Sequence, residues 1–256
     1  MTTNADKATE LLRLHTAPEI LRVVNVWDVI TAQVVANTSG TKALATASHS
    51  IAAAHGYPDG EQIPLDLMIT AVGRIAACTE LPVSADLEAG YGNAGETVAR
   101  AIEVGIVGAN LEDQLKPLTE AVAAVRAAVT AGEKAGVPFV LNARTDAFLK
   151  SGDKDPQAVV ADAIERGRAY LDAGASTFFV PGKLDEATVG QLVEALGPQK
   201  INLIGVPGSI PAARLQELGV ARLSYGPWSQ NVALTALAAL AEDLTGGLPE
   251  GTRKLN

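Results

Sequence analysis

Residues 86–92 read Asp-Leu-Glu-Ala-Gly-Tyr-Gly and put two carboxylates, Asp86 and Glu88, one residue apart after the run Leu-Pro-Val-Ser-Ala. A strand sends alternate side chains to opposite faces, so Ser84, Asp86 and Glu88 share one face while Ala85 and Leu87 take the other. Unpaired carboxylates placed side by side repel and resist desolvation, so this face needs positive charge. Glu112, from Asn-Leu-Glu-Asp-Gln at 110–114, and Asp59, from the loop His-Gly-Tyr-Pro-Asp-Gly at 55–60, add two more acids. A hard divalent cation answers the repulsion, and Mg²⁺ suits a few carboxylates completed by water and substrate oxygens. The Cys/His grouping of a zinc site is absent. The competing reading is a structural pairing of the acids with arginine or backbone amides.

Arg144, in Asn-Ala-Arg-Thr-Asp-Ala-Phe at 142–148, shares a strand face with Asn142 and Asp146. Its guanidinium can hold a planar carboxylate or a phosphoryl group in two-pronged fashion, or it can neutralise Glu112. Ser48, with the amides of His49 and Ser50, follows an apolar run and can receive an oxyanion or form a capped turn. His49 is a base candidate or a solvent-exposed side chain. Trp27 is placed to form a pocket wall, Asp28 to cap the next helix, Tyr91 to offer a hydroxyl to a metal shell, and Ser224 to complete the pocket. The run Gly-Val-Pro-Gly-Ser at 205–209 lacks the Walker lysine arrangement, and no Gly-x-Gly-x-x-Gly follows the first strand, so nucleotide sites are unsupported.

These residues need a scaffold that brings strand ends together. Short apolar runs at 21–28, 42–48, 82–88, 108–113, 138–147, 176–182, 201–206 and 221–226 read as strands. Helical patterns lie between and after them, at 29–38, 65–78, 94–105, 118–135, 156–172, 185–196, 209–219 and 231–244. Gly105, Gly136, Gly174 and Gly219 each sit between a helical run and a strand, as helix C-caps do. Eight βα units without a Pro/Gly/Ser-rich linker predict one (β/α)₈ TIM barrel across residues 1–256, with the first 20 residues forming a helix over its bottom. In such a barrel the C-terminal strand ends carry the chemistry, where the acids and Arg144 fall.

Composition narrows the partners. Apolar residues make up 48% of the 256 residues, and 29 acidic against 20 basic residues give a formal charge of −9. The first figure predicts a folded chain, and the second disfavours nucleic acid and anionic membranes. A lone cysteine, Cys78, rules out an intrachain disulfide. With no basic-apolar leader and no long charge-free apolar span, the chain reads as soluble and cytoplasmic.

The segments Asn-Val-Trp-Asp (25–28), Thr-Ala-Ser-His-Ser through Pro-Asp-Gly (46–60), Asp-Leu-Glu-Ala-Gly-Tyr-Gly, Gly-Ala-Asn-Leu-Glu-Asp-Gln (108–114), Asn-Ala-Arg-Thr-Asp-Ala-Phe and Leu-Ser-Tyr-Gly-Pro (223–227) recur in order over most of the chain. Together they resemble the isocitrate lyase and phosphoenolpyruvate mutase superfamily, especially its phosphonomutase-like branch. The resemblance implies a TIM barrel, with its last helix exchanged between subunits of a homodimer or homotetramer. It also implies Mg²⁺ or Mn²⁺, and a small anionic 2-oxo acid or its enolate in the mouth. It assigns metal binding to Asp86, Glu88 and Glu112 and catalysis to Arg144 and Asp59. It places Asp86, Arg144 and Ser48, with the following amides of His49 and Ser50, beside the substrate, and strand position adds Trp27 and Ser224 to the expected substrate-binding set. The family's carbon–carbon lyases carry a mobile Lys-x-Cys-Gly-His lid after the fourth strand. Here Glu-Asp-Gln-Leu-Lys-Pro-Leu-Thr-Glu, 112–120, runs almost directly into the next helix without a cysteine, leaving Lys116 and Thr119 as possible lid chemistry.

The leading expectation is a Mg²⁺-dependent lyase that cleaves or decarboxylates a small 2-oxo acid or hydroxy-diacid through an enolate. Mutase or hydrolase chemistry on phosphoenolpyruvate or phosphonopyruvate is the alternative. A non-catalytic oxo-acid-binding barrel is the third.

Overall fold

The computed structural model describes residues 2–243 and 245–255. Its strands all run parallel in one ring. The first strand position is split at Val24 into β1 (Leu21–Val23) and β2 (Asn25–Val26). There follow β3 (Leu44–Thr46), β4 (Val83–Asp86), β5 (Gly108–Glu112), β6 (Val140–Arg144), β7 (Thr177–Val180), β8 (Ile201–Ile204) and β9 (Arg222–Ser224). Neighbours in sequence are neighbours in space from β2 round to β9, and β9 pairs with β1, so the split strand closes the ring on both sides. The eight expected βα units are present, with strands shorter than their apolar runs.

The helices surround the ring: α2 (Val29–Ala36), α3 (Ser48–Ala54), α4 (Leu65–Ala77), α5 (Ala94–Glu103), α6 (Leu118–Lys134), α7 (Pro156–Asp172), α8 (Glu186–Leu196), α9 (Ala212–Glu217) and α10 (Trp228–Glu242). α3 is an addition: the segment with room for a capped turn starts a helix at Ser48. α9 is shorter than its pattern because Pro207 and Pro211 precede it, and proline is tolerated only at a helix start. Asp28 does cap α2, its carboxylate accepting from the Thr31 amide at 2.8 Å. The four C-cap glycines all take positive φ, between 66° and 102°.

Before the ring, α1 (Asn4–His15) opens with a Thr3–Asp6 capping box and closes the barrel floor. Leu11, Leu14 and His15 are buried there; each leucine contributes about 1.5–3 kcal/mol by leaving water. The fit depends on Gly108: a Cβ at that position would lie 2.8 Å from both Leu11 Cδ2 and the Val140 carbonyl oxygen.

Outside the strands, Val, Ile, Leu and Ala side chains pack under the helices as one core. Inside the ring the filling is polar. Asn142 Nδ2 donates to Asn110 Oδ1 at 2.7 Å, Thr177 Oγ1 donates to Asn142 Oδ1 at 3.0 Å, and Asn202 Nδ2 donates to Thr177 Oγ1 at 3.0 Å. These residues bind four adjacent strands across the axis, below the mouth. In contrast, α10 leaves its apolar side chains outside the core, with Val232, Leu234 and Leu237 each more than half exposed. Among the described residues no helix is long and apolar enough to cross a membrane.

Candidate active site

Asp86, Glu112, Arg144 and Ser224 are each the last residue of their strand, at β4, β5, β6 and β9. Register brings the central pair together, since Glu112 lies opposite Arg144. Arg144 Nη1 is 2.8 Å from Glu112 Oε2, while its Nε and Nη2 reach Asp146 Oδ1 at 2.9 and 2.8 Å. Guanidinium has five N–H donors, so three contacts leave two uncommitted. The Arg144 side chain keeps 20% exposure, which leaves those donors a route to a ligand.

Asp86 is fixed from the neighbouring loop. Its Oδ2 accepts from the Ser48 amide at 3.1 Å and the Ser48 hydroxyl at 2.8 Å. Ser48 therefore acts first on Asp86. Ser50 is fully buried on the same short helix, and its hydroxyl lacks a protein partner. His49 and Asp59 stand half exposed at the rim, with Nδ1 3.5 Å from Oδ2. Trp27 is half-buried against the core, and Ser224 is buried at its strand end.

Strand alternation does not place Glu88. β4 ends at Asp86, and Glu88 lies beyond it with φ at +52°, a left-handed conformation costly for a residue with a side chain. It is nevertheless buried, and its carboxylate accepts from the Glu61 amide and, at 3.1 Å, from the Tyr91 hydroxyl. Glu61 in turn accepts from the Tyr91 amide at 2.5 Å. Glu61 and Tyr91 also have positive φ, so two loops close around Glu88 through three strained residues.

These acids act on one another through their charges. Burial, then the charge of Asp86, pushes Glu88 up to about 7, with Asp59 adding to the rise against the Glu61 and Tyr91 hydrogen bonds. Burial pushes Glu112 up to about 7 despite the pull of Arg144, and Asp146, Asp86 and Glu88 add to it. Burial opposes the Arg144 charge, but Glu112, Asp146 and Asp86 hold that group above its ordinary value. The mouth is short of positive charge.

The donor set is all oxygen and acidic, the kind a hard divalent cation takes, and Asp86, Glu88 and Glu112 are the residues that could hold one. Among the described residues, however, no three His, Cys, Asp or Glu side chains converge as a direct ligand set. Each acid is already turned toward its own protein partner. The arrangement fits an ion bound directly by one or two carboxylates, with waters or substrate oxygens in the other positions.

Behind the mouth lies a network absent from the sequence reading. Asp113 points away from the axis, where Oδ1 accepts from the amides of Leu115 and Asp146 at 2.9 and 3.0 Å. Its Oδ2 accepts from Arg166 Nη1 at 3.1 Å and the Tyr170 hydroxyl at 2.7 Å. This joins the ends of β5 and β6 to α7. One signal was available: Arg166 and Tyr170 are four apart and so share a helix face. The short loop after β5 is also fastened at its top, since Lys150 Nζ donates to the Gln114 carbonyl at 3.3 Å and lies 3.3 Å from Asp146 Oδ2.

Comparison with known proteins adds to this geometry. Residues 11–245 match the family model described as phosphoenolpyruvate phosphomutase. A candidate phosphonomutase from Burkholderia cenocepacia J2315 is similar in structure, with 40% identity, a TM-score of 0.88, and coverage of 95% of this chain and 100% of that one. A 2-methylisocitrate lyase of Escherichia coli is 30% identical over 238 residues, covering 86% of this chain and 77% of its own. An oxaloacetate acetylhydrolase bound to its product oxalate is 26% identical with a TM-score of 0.85, over 100% of this chain and 93% of that chain. The barrel, the acids at its strand ends and these matches agree: the chain belongs to the phosphoenolpyruvate phosphomutase family, within the isocitrate lyase/PEP mutase superfamily, and this membership supports lyase- or mutase-type enzymatic activity.

Proposed function

We propose that the protein is a Mg²⁺-dependent lyase acting on a small anionic 2-oxo acid or hydroxy-diacid by carbon–carbon cleavage or decarboxylation through an enolate. The observation that carries this reading is the placing of Asp86 and Glu112 at adjacent strand ends, with the buried Glu88 just beyond β4, around the guanidinium of Arg144. A bound Mg²⁺, or Mn²⁺, supplies Lewis-acid polarisation of the oxo group and offsets the negative charge that develops as the bond breaks.

The chain's own groups do the rest. Asp86 is oriented in advance by Ser48, so its placement costs nothing when a ligand arrives. Arg144 offers its two uncommitted donors to a substrate carboxylate, and Glu112 and Asp146 hold its plane. Asp59 and His49 stand at the rim as candidates for proton exchange, with Trp27, Ser50 and Ser224 around the pocket. The similarity to an oxaloacetate acetylhydrolase that holds oxalate favours this substrate class. Purified protein given oxaloacetate and substituted malates is expected to yield pyruvate or an aldehyde only with metal. Inactivity across that panel, together with turnover of a phosphonate, overturns the assignment.

The 40% identity to a candidate phosphonomutase favours a second reading, mutase or hydrolase chemistry on phosphoenolpyruvate or phosphonopyruvate. Phosphorus NMR separates the two through the fate of the carbon–phosphorus signal. Oxalate binding without any turnover leaves a binding barrel. The apolar exposure of α10 supports a homodimer or homotetramer in which that helix is exchanged between subunits. Light scattering on the Leu237→Glu protein tests this, with loss of the assembled mass expected.

A further inference from the structure

Among the described residues, Arg222 is the largest side chain that is almost wholly buried, at 1% exposure. It rises from β9 into the polar interior, where Nη1 donates to Ser84 Oγ at 3.2 Å. Its Nε and Nη2 have no partner, and no carboxylate pairs with it among the described residues. Below lies His15 of α1, whose buried Nε2 is likewise unpartnered and whose ring is kept neutral by burial and by the Arg222 charge. Above lies Asp86, the acid whose charge favours the guanidinium against desolvation. Ser84 stands two residues before Asp86 on the same strand face, which links the buried cation to the mouth.

A buried charge with no carboxylate paired to it is expensive, because its desolvation is not repaid, so an apolar side chain of similar length relieves that cost. The cost has a counterpart at the mouth. Asp59, Asp86, Glu88, Glu112 and Asp146 meet only Arg144 and Lys150 there, which leaves three uncompensated negative charges when all five are ionised. A divalent ion leaves one, enough to repel an anionic substrate from a site of low dielectric. We propose that Arg222 is a positioning residue that acts from beneath the mouth, supplying the missing charge so that the metal-loaded site accepts an anion. This rests on the metal-dependent reading above.

The consequence has an opposite sign for cations and anions. Without Arg222 the mouth becomes more negative, so a metal ion binds more tightly and an anion more weakly. Damage to the fold weakens both. Isothermal titration at pH 8 of wild type, Arg222→Met and Arg222→Lys with Mn²⁺, then of the Mn²⁺-saturated proteins with oxalate, reads the difference. For Arg222→Met, Mn²⁺ affinity is expected to hold or rise several-fold and oxalate affinity to fall about ten-fold, with Arg222→Lys recovering most of the loss. Thermal unfolding in chelator should show no loss of stability in Arg222→Met. Affinities that fall together, or do not change, overturn the proposal. Should the methionine protein not fold, the same opposite shift is required of Arg222→Gln. A wild type that binds no Mn²⁺ removes the metal reading and the proposal with it, and that result is visible before any variant is compared.

Discussion

Arg144 Nη1 lies 2.8 Å from Glu112 Oε2, across a register pair that ends two adjacent strands. The same guanidinium holds Asp146 with its other edge. Lysine keeps the charge but not the planar fork. Arg144→Lys is expected to lower oxalate affinity by about ten-fold or more, roughly 1.4 kcal/mol, with a folded barrel by circular dichroism. Unaltered oxalate binding would reduce Arg144 to a neutraliser of the two acids.

Asp86 receives two hydrogen bonds from Ser48, so its carboxylate has one defined orientation. Asp86→Ala is expected to weaken Mn²⁺ binding at least ten-fold and to abolish metal-dependent turnover, while far-UV circular dichroism remains that of the wild type. Equal Mn²⁺ affinity in the two proteins would sink the metal role of this residue.

The acids give a signed pH dependence. Glu88 and Glu112, raised from 4.5 to about 7, bind protons in the folded state that they release on unfolding. Their stabilising contribution is therefore complete below 4.5 and lost as pH rises through 7. His15 acts in the other direction, because burial lowers it from 6.5 to about 3, so its contribution is present above 6.5 and lost as pH falls toward 3. The slopes oppose each other below 6.5. From pH 6.5 to 7.5 the acids dominate, and the melting temperature in chelator is expected to fall. Excess Mg²⁺ should cancel that fall, because metal binding competes with the same protons. A melting temperature that rises over this interval without metal would contradict the shifts.

Gly108 admits Leu11 and the Val140 carbonyl to contact distance. The carbonyl belongs to a strand and cannot rotate away. Gly108→Ala is expected to destabilise the fold by roughly 1–3 kcal/mol through overpacking, measured by urea unfolding. An alanine protein as stable as the wild type would mean that α1 can shift on the barrel floor.

Tyr170 donates to the buried Asp113 carboxylate at 2.7 Å. Tyr170→Phe keeps the ring and deletes that bond, at a cost of about 1–3 kcal/mol for a charged acceptor. Asp113 also holds the Asp146 amide, so oxalate affinity should fall along with stability. A loss of stability alone would confine this network to scaffolding.

Much of this was legible in the primary structure because strand ends carry information twice. The apolar runs mark the barrel, and polar residues near the end of a run, such as Asp86, Glu112, Arg144 and Ser224, turn out to be the last residues of the strands. Glu88 shows where that logic stops. Alternation gave it the same face as Asp86, but its backbone turns left-handed beyond the strand, and burial comes from a loop nearly thirty residues away that contributes Glu61. Asp113 was hidden for a related reason. Its partners Arg166 and Tyr170 lie 53 and 57 residues further along, and no local pattern encodes such a pairing. Arg222 reads as an ordinary strand residue of mixed character until the ring closes around it.

The hydrogen-bonded girdle of Asn110, Asn142, Thr177 and Asn202 has a consequence for change as well as for folding. Directional bonds clamp the strands below the mouth, so their spacing there does not depend on what the loops above contain. Loops of other lengths and compositions can be carried on these four strands without retuning them. A chain built this way can trade one reaction for another by editing its rim.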